Sequence, residues 1–155
     1  MVNWDFRCWK IKLGSKIYSY FNNRDIKSFI LDGDLVRDFY NNDLGYSKED
    51  RIANIKRIML SAYVLEKNGI IPIVCNISPF EELRSFARDK FEDYHEIYLQ
   101  KNLYIAKNND VKDIYKENMN ITSLIGINIV FEDPKHSNLL LQVDEEEVEE
   151  SLKKI

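Results

Sequence analysis

Ile30-Leu31-Asp32-Gly33-Asp34-Leu35-Val36-Arg37, followed by Leu44-Gly45-Tyr46-Ser47, Asp50-Arg51 and Asn54-Ile55-Lys56-Arg57, is the stretch whose reading decides the fold. An apolar lead-in that runs into Asp-Gly-Asp reads as a buried strand ending at a site. Residues two apart on an extended chain face the same side, so Asp32 and Asp34 are expected to converge there. Two carboxylates held close repel each other unless a cation lies between them or one takes up a proton. Magnesium suits such a pair, because it takes hard oxygen ligands and keeps waters and phosphates as its other partners. Arg37, Arg51 and Arg57 add guanidinium groups, which grip phosphate or sulfate bidentately. Arg51 and Asn54, three apart, share one helix face. Acid pair, cation and anion grips in one segment point to phosphoryl transfer.

Outward from this segment, strands alternate with helices, which argues an α/β fold around a parallel sheet. Ile17, Tyr20 and Phe21 recur at helical spacing between Gly14 and Asn22, ahead of a strand over Ser28 to Leu31. Ser47, with Asp50 three residues on, caps a long helix whose apolar stripe is Ile52, Ile55, Met59 and Ala62. Asn68-Gly69 closes it. Ile70 to Cys75 is apolar enough for a strand buried on both faces. Ser78-Pro79-Phe80-Glu81 opens a second helix, with Ser78 as its cap, proline at the first helical position and Phe80, Leu83, Ala87 and Phe91 on its buried side. His95 to Leu99 is the next strand and Asn102 to Lys107 a short helix. Residues 107–120 read as a mobile lid. Ile127 to Phe131 and Leu139 to Val143 are strands or a strand-like tail, and residues 144–155 form a C-terminal helix with acids at its positive end.

At 155 residues the chain reads as one domain with room for a real core. Its 45% hydrophobic and 31% charged residues are ordinary for a soluble globular protein. The net charge of −4 argues against general nucleic-acid binding. Cys8 and Cys75 make neither a disulfide framework nor a metal spacing, so a reduced cytoplasm is expected. No apolar run approaches a membrane span, and no signal peptide is evident. His95 and His136 have no partners at ligand spacing and read as structural.

Asp-Gly-Asp-x-x-Arg followed by Leu-Gly-Tyr-Ser-x-x-Asp-Arg-x-x-Asn-Ile-x-Arg closely resembles the adenylylsulfate kinases, and the likeness resumes at Ile77-Ser78-Pro79-Phe80 with Arg84. The resemblance implies a P-loop NTPase-type three-layer sandwich with a five-stranded, mostly parallel sheet. It implies Mg-ATP as donor, the 3'-hydroxyl of adenosine 5'-phosphosulfate as acceptor, and a homodimer as a family expectation. Asp34, with Asp32 behind it, would coordinate magnesium and accept the hydroxyl proton. Arg37, Tyr46, Arg51, Asn54, Ile77, Lys112, Leu124 and Gly126 would hold the acceptor. The family serine matching Ser78 has been assigned as a phosphoserine; here it caps or binds substrate instead. Lys112-Asp113-Ile114-Tyr115 stands where the family lid has Lys-Gly-Leu-Tyr, in a lid shorter by about two residues. Asn109 replaces an arginine beside the donor adenine. Leu124 replaces a phenylalanine that stacks on the acceptor base, which leaves Tyr46 as the remaining stacking face. A non-adenine acceptor, such as the cytidine diphosphoramidate of capsule synthesis, is the alternative reading. An inactive nucleotide-binding remnant is another.

The remnant reading arises because Gly-x-x-x-x-Gly-Lys-Ser/Thr, the backbone cradle for donor phosphates, is missing. Where it belongs the chain reads Trp4-Asp5-Phe6-Arg7-Cys8-Trp9-Lys10-Ile11-Lys12-Leu13-Gly14. Reverse-translated and read one base later, Met1 to Gly14 permits Trp-Leu-Thr-Gly-Thr-Ser-Gly-Ala-Gly-Lys-Ser-Ser-Leu, which contains that motif. Residues 1–13 are therefore either a phosphate loop read out of frame or a divergent N-terminus. In the second case Lys10, Lys12 and Gly14 are the candidates for the donor site.

Overall fold

The computed structural model describes residues 6–100, 129–144 and 147–155. The expected helix over 102–107, the lid over 107–120 with Asn109, Lys112 and Tyr115, and the Leu124 and Gly126 positions lie outside the described residues, as does the start of the strand over 127–131; Val130 and Phe131, within them, are not strand.

Helix α1 spans Phe6–Asn22. It begins eight residues before the Gly14 start read from the sequence, so residues 6–13 of the anomalous segment are helix rather than strand or loop. Trp9, Leu13 and Ile17 explain this, because positions four apart stack on one helix face. Trp9 and Leu13 are buried in a cluster with Leu141, Val143 and Val148, and Ile17 packs against it. Interleaved lysines hide that stripe from a reading of composition. The buried indole N–H of Trp9 has no hydrogen-bond partner.

Strand β1 (Ser28–Asp32) runs parallel to β2 (Ile71–Cys75), with Asp32 paired to Cys75 at the C-terminal ends. Between them lie α2 (Gly33–Phe39) and α3 (Lys48–Lys67). The α3 cap is the one expected, with Ser47 Oγ accepting the Asp50 N–H at 3.1 Å. The apolar stripe of α3 is centred on Ile58, a member the sequence reading passed over, which is 1% exposed and packs with Leu31, Val36 and Ala62. Gly69 ends the helix segment at φ +70°, the left-handed conformation that only glycine adopts without cost.

Helix α4 (Glu81–Lys90) leads to β3 (Ile97–Gln100), which pairs in parallel with β4 (Leu139–Gln142); α5 (Val148–Leu152) is a shorter helix than the 144–155 segment suggested. The described residues thus contribute four strands in two parallel pairs, β1-β2 and β3-β4. Helix α1 covers one face, where Gly14 approaches Cys75 and Ile73 so closely that a Cβ would collide with Cys75 Sγ. Helix α3 covers the other face through Leu31. The β2 strand is not buried on both faces as expected: Ile71 is 40% and Val74 46% exposed. Its outer edge has no strand beside it among the described residues. No helix among the described residues is long and apolar enough to cross a membrane.

Candidate functional site

The candidate site lies at the C-terminal ends of β1 and β2. Open α/β sheets place ligands there, because strands end and helices begin on that rim. Asp32 is the last residue of β1, and Asp34 sits in the first turn of α2. The expectation that both carboxylates project from one extended strand is therefore corrected: the chain turns into helix at Gly33, so they belong to different elements. Lys10 reaches this rim from α1. Its Nζ donates to Asp32 Oδ1 at 3.3 Å and to the Cys75 carbonyl at 3.1 Å. The Lys10 side chain is only 11% exposed, so this is a sheltered ammonium facing an acid. Lys12 points elsewhere and is exposed. Cys75 Sγ donates to the Lys10 carbonyl at 3.4 Å. Burial pushes the thiol up to about 11, with the Asp32 charge adding to the rise and Lys10 opposing it.

Around the next turn the arginines divide their tasks. Arg37 is 7% exposed and donates through Nη1 to the carbonyls of Leu44 (3.0 Å) and Gly45 (2.9 Å). It shapes the loop that carries Tyr46. Arg51 Nε donates to the Tyr46 carbonyl at 3.1 Å. The Tyr46 ring, 55% exposed, has the Arg37 guanidinium 4.6 Å and the Arg51 guanidinium 5.3 Å from its centroid. Burial, and then the charge of Arg37, lowers the affinity of Arg51 for its proton. Two cations facing one open ring form an anion-attracting shelf beside a stacking surface. Arg57 is not part of it. Arg57 forms a bidentate pair with Asp43 at 2.7 and 2.8 Å, which holds the Asp43 carboxyl below its usual value.

Asn54 is 4% exposed, with Nδ2 donating to the Gly33 carbonyl at 3.3 Å and Oδ1 left without a partner. A buried acceptor with nothing to bind is costly in an apolar interior and marks a place for a donor.

Across the rim, Ile77 and Ser78 lead into α4. Ser78 does not cap that helix as the sequence suggested. Its Oγ is buried without a partner, the N-cap residue is Phe80, and the Glu81 N–H is instead accepted by Glu132 Oε2 at 2.6 Å. The serine hydroxyl is thereby left available to a ligand. The loop is anchored by Arg84, 4% exposed, which donates to the Ser78 carbonyl at 2.6 Å, to Glu81 Oε2, and to the Glu132 carbonyl. Glu96, 8% exposed, accepts from Arg88 Nη1 at 2.6 Å through Oε2. Its Oε1 lies 3.4 Å from Arg84 Nε, an ion-pair approach rather than a hydrogen bond. Burial opposes ionisation of Glu81, but Arg84 and Arg88 together hold its carboxyl below the usual value. The sequence reading named Arg84 but missed this network; Glu81, Arg84 and Arg88, at i, i+3 and i+7, were the available signal.

Asp32 and Asp34 supply carboxylate oxygens of the kind a hard divalent cation takes, although Asp32 is engaged by the Lys10 ammonium at 3.3 Å and no group of three or more His, Cys, Asp or Glu stands together among the described residues. A triphosphate does not fit in the same way. Residues 10–14 are helical, with their N–H groups turned to the carbonyls of their own helix, so α1 offers no backbone cradle.

The family model described as adenylylsulphate kinase matches residues 8–142. An adenylyl-sulfate kinase from Picosynechococcus sp. is 38% identical over 128 residues, 81% of this chain and 72% of that protein. Another from Staphylococcus carnosus is 34% identical over 136 residues, 85% of this chain and 68% of that protein. Among solved structures, the Mycobacterium tuberculosis APS kinase in complex with AMPPNP and APS superposes with a TM-score of 0.82 at 28% identity, covering 94% of this chain and 87% of that one.

Proposed function

The chain belongs to the adenylylsulphate kinase family, with its P-loop NTPase α/β fold, and from that premise we propose that it is an ATP-dependent kinase acting on the ribose 3'-hydroxyl of adenosine 5'-phosphosulfate. The observation that carries this reading is the shelf at the rim, where Arg37, Tyr46 and Arg51 meet beside the Asp32–Asp34 turn. Arg51 grips the phosphosulfate, Tyr46 stacks on the base, and Arg37 holds the loop that presents both. Asn54 Oδ1 and Ser78 Oγ, each buried without a partner, supply the acceptors that orient ligand hydroxyls. Asp34, with Asp32, holds magnesium and accepts the proton of the attacking hydroxyl. Catalysis of this kind is mostly positioning and charge neutralisation. Ile77, Lys112, Leu124 and Gly126 complete the acceptor pocket in this reading.

On the donor side Lys10 is ion-paired with Asp32. The proposed architecture is a single kinase domain in the cytoplasm, with a five-stranded sheet of which β1 to β4 are four strands and with a homodimer as its assembly.

The test is a calorimetric titration of the chain with adenosine 5'-phosphosulfate alone, then with Mg-ATP, followed by analysis for 3'-phosphorylated product. Saturable acceptor binding, weakened roughly tenfold or more by Arg51→Ala, is expected from the loss of a charged hydrogen-bond donor. Absence of acceptor binding by folded protein would sink the reading.

A further inference from the structure

An ammonium and two oxygens, from three different elements, meet where β1 and β2 end. Lys10 Nζ donates to Asp32 Oδ1 at 3.3 Å and to the Cys75 carbonyl at 3.1 Å. The two acceptors belong to residues paired across the parallel ladder, so the sheet fixes their spacing. The lysine is fixed as well. Cys75 Sγ donates to the Lys10 carbonyl at 3.4 Å, and one turn later Gly14 lets α1 lie directly on that thiol, where a Cβ would collide. The Lys10 side chain is 11% exposed and that of Asp32 20%. The pair is therefore sheltered by the fold, unlike the solvated surface pairs that hold little.

Charges withdrawn this far from water are kept only by close, well-placed partners. Lys10 has a carboxylate and a backbone carbonyl, which are also the ligand types a hard divalent cation takes. Ammonium and metal ion therefore compete for one position. Magnesium binds oxygen at about 2.0–2.1 Å. On the Cys75 side of Asp32 Oδ1 it would stand against Nζ, like charge to like charge. The lysine needs no ion from solution, and its tether keeps its effective concentration high. Further ligands are also few, since no group of three or more His, Cys, Asp or Glu stands together among the described residues. With Lys10 in place, the position fits an ammonium and not a divalent ion.

We propose that Lys10 is a tethered counter-cation that holds the cation position on Asp32, and that a divalent ion gains that oxygen only by displacing it. The apparent metal affinity is then the intrinsic one scaled by the fraction of molecules in which the lysine is released. Lys12, two residues on, is exposed and points away from this position, so the effect belongs to residue 10 and not to the charge of α1 at large. The inference goes beyond the kinase reading and stands without it. No nucleotide enters its test, so a failure of acceptor binding would remove that reading and leave this one.

The experiment titrates Mn2+ alone, standing in for magnesium, into the full chain and its variants, with the free ion read by electron paramagnetic resonance. Lys10→Met should tighten Mn2+ binding roughly tenfold or more and Lys12→Met by less than about twofold. Asp32→Asn added to Lys10→Met should abolish the gain. Equal binding by the unmodified chain and Lys10→Met overturns the proposal, as does an equal gain with Lys12→Met or a gain that survives Asp32→Asn. Acetylation by acetic anhydride, resolved by peptide mass spectrometry, tests the unmodified chain and decides the matter if Lys10→Met fails to fold. Lys10 should react roughly tenfold more slowly than Lys12, because it reacts only while the pair is open, and its rate should rise as Mn2+ binds. Equal rates at the two lysines, or Mn2+ binding that leaves the Lys10 rate unchanged, overturn the proposal.

Discussion

From Gly33 to Arg57 the chain ties its side chains to groups of the same stretch: Arg37 to the carbonyls of Leu44 and Gly45, Ser47 to the Asp50 N–H, Arg57 to the Asp43 carboxylate. Ahead of Gly33, α1 brings one sheltered ammonium, Lys10, to the C-terminal ends of β1 and β2. The first region forms an acceptor shelf from residues within one short stretch. The second needs a strand and a phosphate loop that residues 6–14, being helical, do not form. The difference teaches that the two halves of a two-substrate site can be separable physical problems. One is solved by local hydrogen bonds, the other depends on groups brought together from far apart in the chain.

The comparison breaks first, and with the largest effect, at the network behind Ser78. Arg84→Met removes the buried donors to the Ser78 and Glu132 carbonyls and should cost about 3 kcal/mol, with Glu81 and Glu96 left to Arg88 alone. Urea unfolding measures it. A loss under about 1 kcal/mol would mean the α4 side is no better anchored than the α1 side.

Cys75 probes the α1 side, where its thiol lies against Lys10 and Gly14. With its thiol held to about 11 against 9 for an ordinary one, alkylation by iodoacetamide at pH 8 should be roughly a hundredfold slower than for an exposed thiol, read by peptide-resolved mass spectrometry. The same shift sets a pH dependence. Between 9 and 11 the unfolded thiol has lost its proton and the folded one has kept it, so the folded state binds more protons. Stability therefore falls as pH rises through that window, and Cys75→Ser should flatten the slope. Fast alkylation would show that α1 does not shield the end of β2 from solvent.

The smallest effect expected is at the α3 cap. Ser47→Ala should cost about 1 kcal/mol of stability in thermal unfolding, through the lost acceptor for the Asp50 N–H. A much larger loss would mean that the Tyr46 shelf hangs on this cap rather than on Arg37.

Much of the acceptor half was legible beforehand, since β1, the Ser47 cap, α3 and the Gly69 stop are local signals carried by residues within a few positions of each other. The family, too, was readable in Asp32 to Arg57, because spacing along a turn and one helix is preserved in one dimension. Ser78 misled, because Ser-Pro-x-Glu is a cap pattern in isolation. A carboxylate from Glu132, far away in sequence, took the role instead.

The sequence by itself determined which residues could carry charge and grip a nucleotide, and that no glycine-rich phosphate loop is present. The tertiary structure alone decided that residues 6–13 are helix, that Lys10 meets Asp32, and that the strands of the described residues stand as two parallel pairs. The reason is physical. Caps and turns are closed by neighbours in the chain, whereas burial of α1 and the gap in the sheet depend on Leu141, Cys75 and Ile97, which sequence distance keeps apart and only packing brings together.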